Sequence, residues 1–177
     1  MKAVRNVVTI ASHTPVLAAA LMAAPAGHVL ELGSGAYSTA LLHWLCRVAN
    51  RGLLTLDSNA DWVARMAGYQ VPFAPGWQGH RVEHVAMPQD DKRLGEDWAL
   101  ALVDGCHSER AGCLARLHHV PIVVVHDTEP EHASQYPGMA DQLAMFRFRL
   151  DARMPLMETN QTSVVSDRLD PTLLLRM

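Results

Sequence analysis

The stretch Val29-Leu30-Glu31-Leu32-Gly33-Ser34-Gly35-Ala36-Tyr37-Ser38 constrains the fold of this chain more than any other. A short apolar run carrying one acid closes on a Gly-x-Gly turn, and the turn opens a helical segment. That is how a strand end holds a nucleotide-like ligand: glycines without a Cβ let the turn form and let the ligand approach the backbone. On this reading Gly33, Ser34, Gly35, Tyr37 and Ser38 border the ligand, and Glu31 places a hydrogen-bond acceptor beside it. A dinucleotide fingerprint would put a third glycine at position 38, where this chain has Ser38.

The next apolar run, Gly52 to Leu56, stops at Asp57, about 20 residues after the turn, where an acid can grip both hydroxyls of a ribose. A strand end merely solvated by its acid is the plain alternative. Val82 to Val85 reads as a weak strand, and Trp98 to Val103 as a strong one ending in Asp104-Gly105-Cys106-His107-Ser108. Val120 to Val125 is a further buried strand and runs into His126-Asp127-Thr128. Strands alternating with helical segments, each strand closing on a polar residue, predict an α/β, Rossmann-like, doubly wound and mostly parallel sheet. Glu31, Asp57, Asp104 and Asp127 would then meet along its carboxyl rim. Phe146 to Leu150 and Ser163 to Asp167 lack an intervening helix and predict a C-terminal antiparallel hairpin, for seven strands in all.

The Glu-x-Gly-x-Gly form resembles motif I of the class I S-adenosylmethionine (SAM) dependent methyltransferases, and the antiparallel end of the sheet is similar to theirs. The resemblance spans nearly the whole chain from about Gly27 and implies SAM as cofactor, bound by Glu31, Gly33, Ser34, Gly35, Tyr37, Ser38, Asp57 and Asp104. The Asp-Pro-Pro-aromatic sequence common in amide and amino N-methyltransferases is absent after the fourth strand, and no Pro-Cys pair offers a cytosine-type nucleophile. Asp104-Gly105-x-His107-Ser108 with His126-Asp127 instead resembles the small-molecule O-methyltransferase branch.

In the catechol and caffeoyl-CoA type enzymes of that branch, acids at these strand ends hold a divalent cation. The resemblance therefore makes Asp104 and Asp127 candidate ligands for Mg²⁺ or Mn²⁺, and a mixed carboxylate and imidazole set would also accept Zn²⁺ or Fe²⁺. Here Glu109-Arg110 replaces the branch's usual aromatic residue, and His126-Asp127 replaces its Asp-Asn pair. A base is also needed for an acceptor hydroxyl, and imidazole suits the task. His107 is the first candidate and His126 the second, with Asp104 and Asp127 beside them and no tightly held metal required. Helix capping by His107 and loop anchoring by His126 are the structural alternatives.

Three classes stay open: methyl transfer to a small hydroxylated molecule, a SAM-fold binding protein that does not methylate, and a metal-dependent oxygenase or hydrolase. The last rests on similarity of the strand ends to cephalosporin hydroxylase-like proteins.

The chain has 177 residues, 49% of them hydrophobic, which suits one domain, residues 1–177, with a helical N-terminal extension over 1–27. Net charge is -3 without a Lys/Arg cluster, so a polyanion-binding face and a nucleic-acid substrate are not expected. The resemblance implies a small-molecule acceptor, as does the short lead of about 27 residues before the first strand. A homodimer could complete the acceptor site. Cys46, Cys106 and Cys113 form no Cys-x-x-Cys pair, which points to a reducing, cytoplasmic setting. The apolar stretch Val16 to Ala24 is too short to span a bilayer and reads as a buried or amphipathic helix starting near Thr14-Pro15. Trp44 and Trp98 are expected in the core, His80 and His84 as a surface pair, and His118-His119 at a helix end. The segments Met87 to Glu96 and Thr128 to Gly138 are candidate lids or acceptor walls.

Overall fold

A computed structural model describes residues 12–72, 78–153 and 160–176 of the chain. Seven strands form one sheet: β1 (His28–Leu32), β2 (Leu53–Asp57), β3 (His80–His84), β4 (Trp98–Val103), β5 (Val123–His126), β6 (Phe148–Arg153) and β7 (Gln161–Ser166). Their spatial order is β3-β2-β1-β4-β5-β7-β6. The first five strands are parallel, and β7 runs antiparallel between β5 and β6. The order reverses beside β1, between β1 and β4, which places a crevice at the carboxyl ends of those strands.

Both faces of the sheet are covered, so the central strands read as continuous apolar runs rather than alternating ones. Alternate residues nevertheless go to opposite sides. Val29, Leu100, Leu102 and Val124 pack against α1 (Thr14–Ala23) and α2 (Ser38–Val48), through Leu17, Ala20, Leu21, Leu42 and Cys46. Leu30, Leu32, Ala101, Val103 and Val125 face the other layer, which includes α4 (Arg110–Ala115) and α5 (Met139–Met145) and supplies Leu114, Leu117, Met139 and Leu143. A short α3 (Ala60–Met66) follows β2, capped by the Asn59 side chain, which accepts from the Asp61 and Trp62 amides.

The α1 helix has Pro in its first turn, where the missing N–H costs nothing. No helix among the described residues is long and apolar enough to cross a membrane.

Two packing expectations fail. Trp98 is buried, but Trp44 is 55% exposed on the outer side of α2. His80 is not part of a surface pair: it is fully buried against α2, while His84 at the strand tip is exposed and meets the Ser58 carbonyl at 3.1 Å. The segment Met87 to Glu96 is pinned rather than loose. Arg93 bridges Asp91 and Glu83, and its carbonyl accepts from the Trp98 indole at 2.8 Å.

Candidate functional site

The cleft along the carboxyl ends has two lobes. One, of about 760 Å³, lies over β1, β2 and β4 and is lined by Gly33, Ser34, Asp57, Trp62, Asp104 and His107 among others. The second, of about 510 Å³, lies toward β5 and is lined by His13, Gly35, Tyr37, Ser38, His126, Asp127 and Asn160. Ser34, Trp62 and Asp104 border both. Volumes of this size suit small-molecule ligands.

Asp57 sits at the tip of β2 with its carboxylate turned onto the glycine turn. Oδ2 accepts from the Ser34 amide at 2.6 Å and the Ser34 hydroxyl at 2.7 Å, and Oδ1 accepts from the Asn59 amide at 2.7 Å. A carboxylate has about four acceptor sites, so capacity for a ligand hydroxyl remains.

Glu31 is placed differently from its sequence reading. It lies on the same face of β1 as Val29, fully buried beneath the turn, and does not line the cleft. Thr39 of α2 donates to it at 2.9 Å, and Thr55, its register partner on β2, donates at 2.7 Å. Thr39 in turn accepts from the Gly35 amide at 2.9 Å, so Glu31 braces the turn from below. The Nε2 of buried His80 lies 2.9 Å from the Thr55 hydroxyl, and its Nδ1 lies 3.1 Å from Nδ1 of His43, which extends the polar chain from Glu31 toward α2.

Burial pushes the Glu31 carboxyl up to about 7 against the opposing hydrogen bonds from Thr55, Ser38 and Thr39. An acid whose folded pKa is raised holds its proton longer in the native state than in the unfolded one. Stability therefore falls as pH rises from about 4.5 to 7, by roughly 3 to 4 kcal/mol in all, at about 1.4 kcal/mol per unit. Urea denaturation at pH 5 and pH 8 is expected to show this decline in the wild type and to lose it in Glu31→Gln. An identical pH slope in both proteins would place the titration elsewhere.

Between the lobes and the sheet lies Arg110, the first residue of α4 and only 4% exposed. Its Nε donates to the Gly105 carbonyl at 2.8 Å, Nη1 to the His126 carbonyl at 2.6 Å and Nη2 to Asp104 at 3.0 Å. Asp127 is 3.7 Å from the same guanidinium, which also lies over the Tyr136 ring. The loop carrying Tyr136, a candidate wall, thus supplies part of the site, since Tyr136 donates to Asp127 at 3.2 Å. Burial pushes the Tyr136 hydroxyl up to about 12, keeping it a donor.

His126 is buried between two acids, its Nδ1 3.2 Å from Asp104 and its Nε2 3.3 Å from Asp127. Burial works against the imidazolium, but the hydrogen bond and charge of Asp104 outweigh it and raise its pKa. Burial likewise opposes the Asp104 charge, and His126 and Arg110 outweigh it and hold its carboxyl below the usual range. Asp127 has a left-handed backbone, φ 54°, a conformation uncommon outside glycine that tends to be kept at sites of function.

The structure brings Asp104, His126 and Asp127 together. It does not add His107, which is exposed in the first lobe with its ring 4.6 Å from that of Tyr136. Two residues of the site escaped the sequence reading. Arg110 had a visible signal: a cation at a helix start opposes the helix dipole and so needs another reason to be there. His13, which precedes α1 and enters the second lobe, had none.

No protein-family model matches the chain, and no curated protein matches its sequence. Solved structures do. Human methyltransferase-like protein 13, in complex with SAH, is similar over 93% of this chain and 88% of its own, with a TM-score of 0.62 and 11% identity. The SAH-bound Podospora anserina methyltransferase PaMTH1 covers 78% of this chain and 70% of its own, with a TM-score of 0.55 and 14% identity. The methyltransferase domain of bacterial CtHen1 covers 86% and 95%, with a TM-score of 0.54 and 15% identity. At these identities it is the architecture that is shared: the chain has the fold of the class I methyltransferases.

Proposed function

We propose that this protein transfers the methyl group of SAM to a hydroxyl oxygen of a small molecule. The observation that carries the proposal is the two-lobed cleft, with an acid at the tip of β2 beside the glycine turn and a separate set of ionisable groups at the ends of β4 and β5. The first lobe has the size and the strand-end acid to take the nucleoside, with Asp57 accepting from ribose hydroxyls. Asp104, which borders both lobes, would offset the sulfonium charge of bound SAM.

In the second lobe the acceptor oxygen attacks the methyl carbon as the carbon–sulfur bond breaks, leaving S-adenosylhomocysteine. Chemistry of this kind needs alignment above all, and orientation supplies several of the roughly 7 to 11 kcal/mol available to well-placed reactants. Asp127 takes the acceptor proton in this scheme, because it lines that lobe, while His126 is held between two acids that favour its protonated form. This moves the base from His107, the first choice on sequence, to the β5 end.

SAM labelled in its methyl group, incubated with the full chain and a panel of hydroxylated small molecules, tests the proposal. Label in a methyl ether supports it. Label found only in RNA or protein acceptors, or only on nitrogen, would overturn the assignment of acceptor.

A further inference from the structure

The second lobe contains an imidazole with no hydrogen-bond partner at either ring nitrogen among the described residues. It belongs to His13, which is 3% exposed. Buried polar atoms are nearly always paired, so an orphaned imidazole asks for a missing partner. Its ring lies 4.4 Å from that of His126. One donor atom each from His13, Asp104 and His126 lies within 4.8 Å of the other two. Ligands held at about 2.0 to 2.2 Å around one tetrahedral ion are about 3.3 to 3.6 Å apart, so a closure of at most about 1.5 Å completes the set.

We propose that His13, His126 and Asp104 bind one divalent transition-metal ion of borderline softness, of which Zn²⁺ is the reference case. The inference rests on this cluster alone and stands whether or not the protein transfers methyl groups.

Each ligand has what the role requires. Burial, and after it the neighbouring His126, lowers the His13 pKa to about 4, so the ring keeps a free lone pair at neutral pH. Asp104 spends Oδ1 on Arg110 and His126, and no described residue donates to its Oδ2. His126 exchanges its shared proton for the ion, and its other ring nitrogen keeps an acid to donate to, which fixes the ring. Arg110 opposes a cation here, while Asp104 and Asp127 together favour one.

The ligand set also departs from a hard-ion site built on Asp104 and Asp127. The guanidinium of Arg110 lies 3.0 Å from the first carboxylate and 3.7 Å from the second, which lowers the charge that this pair alone offers a hard ion. Two imidazoles and one carboxylate favour Zn²⁺, Fe²⁺ or Co²⁺ over Mg²⁺.

The test is titration of the full, tag-free chain, stripped with chelator, by Zn²⁺ in a calorimeter and by Co²⁺ as an optical probe. One ion per chain is expected, with a Co²⁺ spectrum typical of nitrogen ligation and no displacement by equimolar Mg²⁺. His13→Ala and His126→Gln should each weaken Zn²⁺ by at least about 100-fold. Metal-free His13→Ala should melt no lower than metal-free wild type, and Zn²⁺ should raise the melting temperature of wild type only. No stoichiometric binding by wild type, unchanged affinity in His13→Ala, or equal competition by Mg²⁺ would each overturn the site. S-adenosylhomocysteine titrated into the stripped protein reads the nucleoside lobe separately, so failure of the metal site and failure of the methyl-transfer reading are distinguishable.

Discussion

Arg110→Met is expected to lower stability by about 3 to 5 kcal/mol, the range for removing one partner of a buried ion pair. Met keeps the side-chain volume and removes the charge and all the donors. Lost with the fork are hydrogen bonds to the carbonyls of Gly105 and His126, which tie the β4 and β5 ends together, and the bond to Asp104. Left behind are Asp104 and Asp127, with His126 between them. Arg110→Lys should recover less than half of the loss, because an ammonium carries the charge but cannot reach three acceptors in a plane. Urea unfolding of the three proteins at pH 7 measures both differences. A loss under about 1 kcal/mol in the Met variant would remove Arg110 from the centre of the site, and wild-type stability in the Lys variant would show that the fork geometry is irrelevant.

Gly33→Ala is expected to cost about 3 to 5 kcal/mol, whereas Gly35→Ala should cost under about 1 kcal/mol. Gly33 has φ +92°, and a Cβ there would lie 2.3 Å from the Gly105 amide nitrogen and 2.5 Å from the Asp104 carbonyl carbon. The obstacle is backbone of the β4 end, which cannot rotate away. Gly35 has no positive φ, and its added Cβ would meet only the Ser38 hydroxyl, at 3.3 Å. The sequence suggested the same roles for both glycines, turn formation and ligand approach; the structure separates them and makes Gly33 also a requirement of strand packing. Denaturation midpoints of the two variants decide the matter. A Gly33→Ala protein that folds as well as wild type and merely fails to bind ligand would return that glycine to the ligand.

The parallel core of the fold was legible because strands buried on both faces are written as unbroken apolar runs. Trp98 to Val103 matched to the residue, and the neighbouring runs needed shifts of one to three positions. The hairpin was legible in kind but not in extent, since β6 alternates between half-buried and exposed residues as an edge strand does and gives only a weak apolar signal. Strand parity held information that position in a motif concealed. Glu31 shares a face with Val29 and points toward α2, so it supports the turn from the core side. Trp44 went wrong because hydrophobicity alone does not say which side of a helix meets the sheet. His13 and Arg110 enter the site through tertiary packing of α1 and α4, which local spacing does not encode.

Whether the β1–β2 end of the cleft holds the nucleoside of SAM is decided by calorimetry of S-adenosylhomocysteine with the metal-stripped wild-type chain and its Asp57→Ala variant. Binding at one site in the wild type is expected, with a loss of about 1.5 to 3 kcal/mol for each charge-assisted ribose hydrogen bond removed in the variant. No binding to the wild type, or equal affinity in both proteins, would contradict that placement.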